Sequence, residues 1–329
     1  MENETRNKFS RRDFLGKLGL AVGGIAAASA LPATALGGTL PANPPKGVRA
    51  KRVVMLSLDG ICVEGFKQAK TPHLDALLKQ GALSLDTRVQ MPSVTMPNWM
   101  SHLSGSGPEQ HGVFNNGYTI AGAKKPKAYP PVARDKDGYY PSVFQVLKEN
   151  VSGCRTAFYW NWKPLINPYN QKHFDEKEYL DNDEYVPYFA HAFDFVKKNK
   201  AHPTVVFLYD VHTDHAGHKH GWMSPEYIRS IEEADGQIGV FIDKMKAEKL
   251  FADTHFFFLT DHGGIGKGHG GTTPEEMIVP WGVVGPGIRK NFEITEANYT
   301  VNTATTILHL FGVKRPTEWT GEVPSSIFA

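Results

Sequence analysis

His255-Phe256-Phe257-Phe258-Leu259-Thr260-Asp261-His262-Gly263-Gly264 is a short apolar run that breaks into an acid, an imidazole and two glycines. Such a run, bounded by turn residues, reads as a strand buried on both faces. The pattern recurs twice: residues 52–58 run into Asp59-Gly60, and residues 204–209 lead to Asp214-His215-Ala216-Gly217-His218. Residues 156–160 and 278–284 read as two further strands. Helical patterns lie among them at 72–80, 98–103, 142–149, 185–198, 225–246 and 303–311. Strands alternating with helices predict an α/β sandwich of three layers, a mostly parallel central sheet with helices on both faces. In open sheets of this kind ligands bind at the carboxyl ends of the strands, so the acids and imidazoles are expected to converge at one edge.

The composition fits that reading. The 329 residues carry a formal charge of +2, with 41% hydrophobic and 21% charged residues, an ordinary globular balance. Near-neutrality gives no electrostatic footing for a protein that coats nucleic acid. Two cysteines, Cys62 and Cys154, exclude a disulfide-stapled scaffold and a Cys-rich zinc module, though in an oxidising compartment they can pair. Of the 14 histidines, four (His212, His215, His218 and His220) fall within nine residues.

The first 35 residues are set aside from fold reasoning. Ser10-Arg11-Arg12-Asp13-Phe14-Leu15 precedes a Gly/Ala-rich apolar stretch, and Ala33-Thr34-Ala35 supplies small residues for cleavage. The stretch is too short and too weakly apolar for a membrane span of ~20 residues. It resembles a twin-arginine export signal. The expected organisation is a signal at 1–35, a Gly/Pro-rich linker at 36–50 and one catalytic domain at 51–329. Cleavage after Ala35 removes five basic and three acidic residues, leaving 31 of each. No cysteine lies in the leader, so no lipid anchor is expected after cleavage. The product is expected to be periplasmic or secreted, with the translocase as a partner only during export.

Asp and His without Cys form a hard-to-borderline ligand set suited to Zn²⁺ or a similar divalent ion. Six candidates, Asp59, Asp214, His218, Asp261, His262 and His269, are too many for one tetrahedral ion and suit two. Two ions about 4 Å apart clamp the attacking and leaving oxygens at phosphorus. A nucleophile candidate stands in Pro92-Ser93-Val94-Thr95-Met96-Pro97-Asn98. Pro97 marks a first helical turn, which puts the Thr95 hydroxyl beside free N–H donors that welcome a phosphoryl group. Read in isolation, Thr95 or Ser93 is an N-cap.

In order, these motifs resemble the alkaline phosphatase superfamily, most of all its nucleotide pyrophosphatase/phosphodiesterase branch. Strand-Asp-Gly stands at residues 53–60, Thr-x-Pro-Asn at 95–98, Asp-x-x-Gly-His at 214–218 and Asp-His-Gly at 261–263, with the last His at 269. The resemblance spans residues 52–328. It implies the alkaline-phosphatase-like fold and two metal sites, usually zinc: Asp214, His218 and His269 in one, Asp59, Asp261 and His262 in the other, with Thr95 bridging toward the second. It further implies that Thr95 attacks phosphorus to give a phospho-threonine, which water then hydrolyses. Asn116 matches the residue that contacts a non-bridging phosphate oxygen, with Asn115 as the fallback. The implied substrate is a small phosphate diester or nucleotide pyrophosphate.

Departures mark this chain as a compact variant. His269 follows His262 after only seven positions, where animal-type members carry a long insertion. Thr95 and Trp99 stand where sulfatases need Cys or Ser and Arg, which disfavours sulfate esters. The phosphonoacetate hydrolases carry a similar Thr-x-Pro-Asn, so a phosphonate or monoester hydrolase is the alternative on this scaffold, and a non-catalytic metal-binding protein the remaining one. His212, His215 and His220 read as solvated loop residues flanking the motif. Trp99, Tyr118, Trp160 and Trp162 read as core or rim packing, with stacking on a leaving group as the alternative. Lys124, Lys125 and Lys127 read as part of a solvated surface loop over 118–138.

Overall fold

The computed structural model describes residues 49–123 and 133–329, which belong to one compact unit. The expected signal, nearly all of the linker, and Lys124, Lys125 and Lys127 lie outside the described residues. In chain order come β1 (Arg52–Leu58), α1 (Val63–Gln68), α2 (Pro72–Leu78), β2 (Gly81–Arg88), α3 (Thr95–Ser104), α4 (Val143–Asn150), β3 (Arg155–Trp160) and β4 (Glu176–Tyr179). Then follow α5 (Val186–Lys198), β5 (Thr204–Asp210), α6 (His212–His220), α7 (Pro225–Ala247), β6 (Thr254–Leu259), β7 (Ile278–Val284), β8 (Phe292–Glu293), β9 (Asn298–Tyr299) and α8 (Asn302–Leu310).

The strands form one sheet in the order β4-β3-β5-β1-β6-β7-β2-β8, with β9 paired to β2. Central β1 lies parallel to β5 and β6, while β7 runs antiparallel to both β6 and β2. Side chains alternate between two cores, as the pleat requires. Phe257 and Leu259 of β6 join Phe207, Trp99 and Trp281 under α3, α4 and α8. Phe256 and Phe258 join Phe66, Tyr188 and Ile231 under α1, α2, α5 and α7. Helices on both faces of a mostly parallel sheet are the architecture expected from the sequence.

Local chemistry sets the helix starts. Ser142 and Ser224 cap α4 and α7 through their hydroxyls, and Pro72 and Pro225 open α2 and α7. Neither Ser93 nor Thr95 is an N-cap: Val94 holds that position in α3, and Thr95 is its first residue.

The sequence reading missed four strands. β2 has mixed polarity and a register shift between Ser84 and Thr87, so it shows no apolar run. β4 is a four-residue edge strand reading Glu-Lys-Glu-Tyr, and β8 and β9 are two residues each. Residues 212–220 form a helix rather than the expected loop. Cys62 and Cys154 are both free, buried in cores on opposite faces of the sheet.

Candidate metal and nucleophile site

Asp59 and Asp261 follow the ends of β1 and β6, and Asp214 lies in the first turn of α6, just after β5. Gly60 closes the turn after β1 at φ +71, and a Cβ there would stand 2.9 Å from Asp214 Oδ1, so glycine permits the approach of β1 to α6. Asp59, Asp261 and His262 are fully buried, and Thr95 and Asp214 are nearly so. His262 Nε2 lies 3.2 Å from Thr95 Oγ1 and 3.3 Å from both Asp59 Oδ1 and Asp261 Oδ2. Asp214 reaches His218 Nε2 at 3.4 Å through one oxygen and His269 Nε2 at 3.7 Å through the other. The His262 and His269 rings stack with centroids 3.7 Å apart. The structure thus brings all six expected ligands and Thr95 together. It groups Asp59 with Asp261 and His262, and Asp214 with His262 and His269; His218, the most exposed of the set, joins through Asp214.

The three imidazoles share one tautomer. His262 Nδ1 faces Gly263 O at 2.9 Å, His269 Nδ1 faces Ser93 O at 2.9 Å, and His218 Nδ1 faces Lys267 O at 3.0 Å. A carbonyl oxygen only accepts, so each Nδ1 carries a proton and Nε2 is the atom turned toward the site.

The carboxylates are arranged in the complementary way. Asp59 Oδ2 accepts from Tyr209 Oη and, at 3.4 Å, from Trp99 Nε1; Asp261 Oδ1 accepts from Gly60 N at 3.2 Å. Asp59 Oδ1, Asp261 Oδ2 and Asp214 Oδ1 are buried without a hydrogen-bond partner. Burial, then the charge of Asp214, pushes the Asp59 carboxyl up to about 8 against the opposing Tyr209 bond. Burial lifts Asp214 to about 7, and burial with Asp59 holds Asp261 well above the usual range. Burial and the neighbouring His269 ring hold His262 neutral. Buried acid oxygens that lack partners, gathered with imidazole Nε2 atoms, form a donor set that fits bound divalent metal.

Of the two asparagines, Asn116 is the one bonded to the head of α3. Its Oδ1 accepts from Met96 N at 2.9 Å, at the head of α3 beside Thr95. Asn115 Oδ1 closes a local turn on Gly117 N instead.

Several residues that shape the site carried no sequence signal of that role. Tyr209 and Trp99 hold Asp59, while Trp222 Nε1 and Tyr227 Oη both donate to Gly60 O, at 2.8 and 2.9 Å. His102 of α3 bridges Thr303 Oγ1 at 2.8 Å and Thr260 O at 3.1 Å, pinning α3 to the end of β6. Trp99 is core packing, as is Trp160; Tyr118 and Trp162 are partly buried against the same core. His212 and His215 face away from the acids, paired with Glu233 and Asp183 at 3.2 and 2.7 Å. They line a cleft of about 260 Å³ with His220, Lys219 and Arg229.

The type I phosphodiesterase/nucleotide pyrophosphatase family model matches residues 53–266, roughly two thirds of the chain, which include Thr95 and every candidate ligand except His269. An uncharacterized pyrophosphatase/phosphodiesterase of Schizosaccharomyces pombe is 27% identical over 241 residues, covering 67% of this chain and 46% of that protein. Ectonucleotide pyrophosphatase/phosphodiesterase family member 3 of Rattus norvegicus is 24% identical over 224 residues, covering 67% and 25%. A bis(5'-adenosyl)-triphosphatase of Homo sapiens is 26% identical over 229 residues, covering 67% and 48%. The chain thus matches less than half the length of each of these relatives. Among solved structures, murine ectonucleotide pyrophosphatase/phosphodiesterase 5, an inactive form in complex with AMP, superposes with a TM-score of 0.70 at 15% identity, covering 85% of this chain and 100% of that one. The lipoteichoic acid synthase LtaP of Listeria monocytogenes gives 0.61 at 17%, covering 84% and 76%. The structural likenesses carry the fold alone; the sequence match over residues 53–266 carries the lineage, and the chain belongs to the type I phosphodiesterase/nucleotide pyrophosphatase family.

Proposed function

We propose that the chain is an exported hydrolase of phosphate diesters or nucleotide pyrophosphates that uses two divalent metal ions and a covalent threonine intermediate. The observation that carries this reading is the Thr95 hydroxyl, first residue of α3, set 3.2 Å from His262 Nε2 beside buried acid oxygens that lack partners. Asp59, Asp261 and His262 would hold one ion and Asp214, His218 and His269 the other, with Zn²⁺ the best match to this Asp/His set. Such ions would neutralise the acids and stabilise the charge that develops on the oxygens at phosphorus.

The chain's own residues then divide the work. Thr95 Oγ1 forms the new bond to phosphorus, and the P–O bond to the leaving alcohol or phosphate breaks. With a diester the threonyl adduct keeps one ester arm. Water hydrolyses it and returns the hydroxyl. Because Asn116 Oδ1 is committed to Met96 N–H, its Nδ2 is free to donate to a non-bridging oxygen beside Thr95. The head of α3 adds the positive end of its dipole.

Export rests on the Ser10–Leu15 pattern, with the translocase as transient partner and a periplasmic or secreted destination. No helix among the described residues is long and apolar enough to cross a membrane. The domain is read as residues 51–329.

The reading is tested by comparing kcat/KM for an aryl phosphodiester, an aryl phosphomonoester and phosphonoacetate on zinc-loaded protein. A diester preference of a few orders of magnitude is expected. A monoester or phosphonate preference would keep the site and overturn the substrate class. Absence of turnover on all three would favour a structural role for the metals.

A further inference from the structure

We propose that Ser93 is the positioning residue that fastens the His269 loop to the nucleophile loop and thereby sets the metal affinity of the His269 site. The inference rests on the two-metal reading above.

His269 stands on no regular element; it lies in the stretch between β6 and β7. Three consecutive residues of that stretch bind one serine. Gly270 N donates to Ser93 Oγ at 3.1 Å, Ser93 Oγ donates to Gly271 O at 2.7 Å, and His269 Nδ1 donates to Ser93 O at 2.9 Å. The proton assignment is forced: the hydroxyl has one hydrogen, Gly271 O only accepts, and Gly270 N only donates. Ser93 is fully buried and caps no helix, so its side chain is spent on this contact.

The two loops also run close together. Gly270 has φ +111, and a Cβ there would stand 3.4 Å from Val94 Cγ2. From the other side, Glu276 accepts from Gly271 N at 2.8 Å and from the Thr273 amide and hydroxyl at 3.2 and 2.9 Å. The loop is thus gripped between Ser93 and Glu276. Ser93 lies two residues before Thr95, so one residue fixes both the tautomer of His269 and its placement relative to the nucleophile. This grip is how a chain with only seven positions from His262 to His269 brings the last ligand home.

The test is a zinc titration of metal-stripped full-length protein against a competing chelator. Wild type should bind two equivalents, and His269→Ala identifies the equivalent that depends on this loop. Ser93→Ala keeps the carbonyl behind His269 Nδ1 but loses the hydroxyl's bonds to Gly270 and Gly271, so that same equivalent should weaken by roughly 10-fold, the low end of the effect of disturbing the shell behind a metal ligand, and the other should stay unchanged. Should Ser93→Ala not fold, Glu276→Gln examines the grip from its opposite side; one amide oxygen cannot take all three donors, and the same selective weakening is expected. Equal weakening of both equivalents, or no change in either, overturns the role of Ser93. A wild type that fails to bind two equivalents overturns the two-metal reading itself.

Discussion

Replacing Asp59 by asparagine should stabilise the metal-free protein at pH 8 while weakening metal binding at the site it shares with Asp261 and His262. The native carboxyl is pushed up to about 8 from 3.8, so through this interval the native state holds a proton that the unfolded chain releases. Where the native state binds more protons, stability falls as pH rises. At ~1.4 kcal/mol per pH unit, the penalty grows from about zero below pH 4 to an upper bound of ~6 kcal/mol at pH 8. Asparagine keeps the shape and carries no charge. Its Oδ1 can keep the donors Tyr209 Oη and Trp99 Nε1, and its Nδ2 then faces His262 Nε2, 3.3 Å from the present oxygen. Allowing ~1–3 kcal/mol for imperfect pairing leaves a net gain of ~3 kcal/mol at pH 8 and close to none at pH 5.5. At about 2 °C per kcal/mol, Tm should rise by ~6 °C at the higher pH. The assay is thermal unfolding of chelator-treated protein at both values. Saturating zinc should reverse the order, because a ligand at ~1,000 Kd adds ~4 kcal/mol to the protein that binds it. A variant less stable than wild type at pH 8 without metal, or one with the same gain at both pH values, would refute the electrostatic account of the site.

Tyr209→Phe keeps the buried ring and leaves Asp59 Oδ2 with Trp99 Nε1 alone at 3.4 Å; zinc affinity by chelator competition should fall roughly 10-fold or more with the fold intact. Gly263→Ala places a Cβ 1.9 Å from Glu275 O and 2.9 Å from Cys62 Cβ, so backbone must move beside His262. A loss of at least ~2 kcal/mol in urea unfolding and a reduced zinc stoichiometry are expected, and a wild-type result in both would contradict the packing. Exhaustive chelation should abolish turnover and added zinc restore it, followed by a continuous diester assay; activity retained in verified metal-free protein would count against metal catalysis.

The acids were legible because apolar runs that read as buried strands stop just before them: β1 leads to Asp59, β6 through Thr260 to Asp261, and β5 to the head of α6, where Asp214 stands. Thr95 was harder to place. Its loop follows β2, whose polar residues conceal the strand, so Pro97 and the Thr-x-Pro-Asn pattern had to serve instead. The helix at 212–220 has almost no apolar face, because one side carries Asp214 and His218 and the other lines a charged cleft; periodicity had nothing to register. Hydrogen bonds between distant segments left no trace in spacing. Tyr209 meets Asp59 across 150 residues and Ser93 meets Gly271 across 178, and both pairings exist only once the sheet is assembled. Asn115 and Asn116 are neighbours in sequence, and the Met96 amide separates them.

The central claim is that Thr95 is consumed and regenerated as a nucleophile, and the stereochemical course at phosphorus tests it most directly. An in-line displacement inverts phosphorus, so two successive displacements through Thr95 return the original configuration. Hydrolysis of a chiral phosphorothioate diester in ¹⁸O-labelled water should therefore proceed with net retention. Net inversion would mean that water attacks the substrate directly, and the covalent role of Thr95 would have to be abandoned.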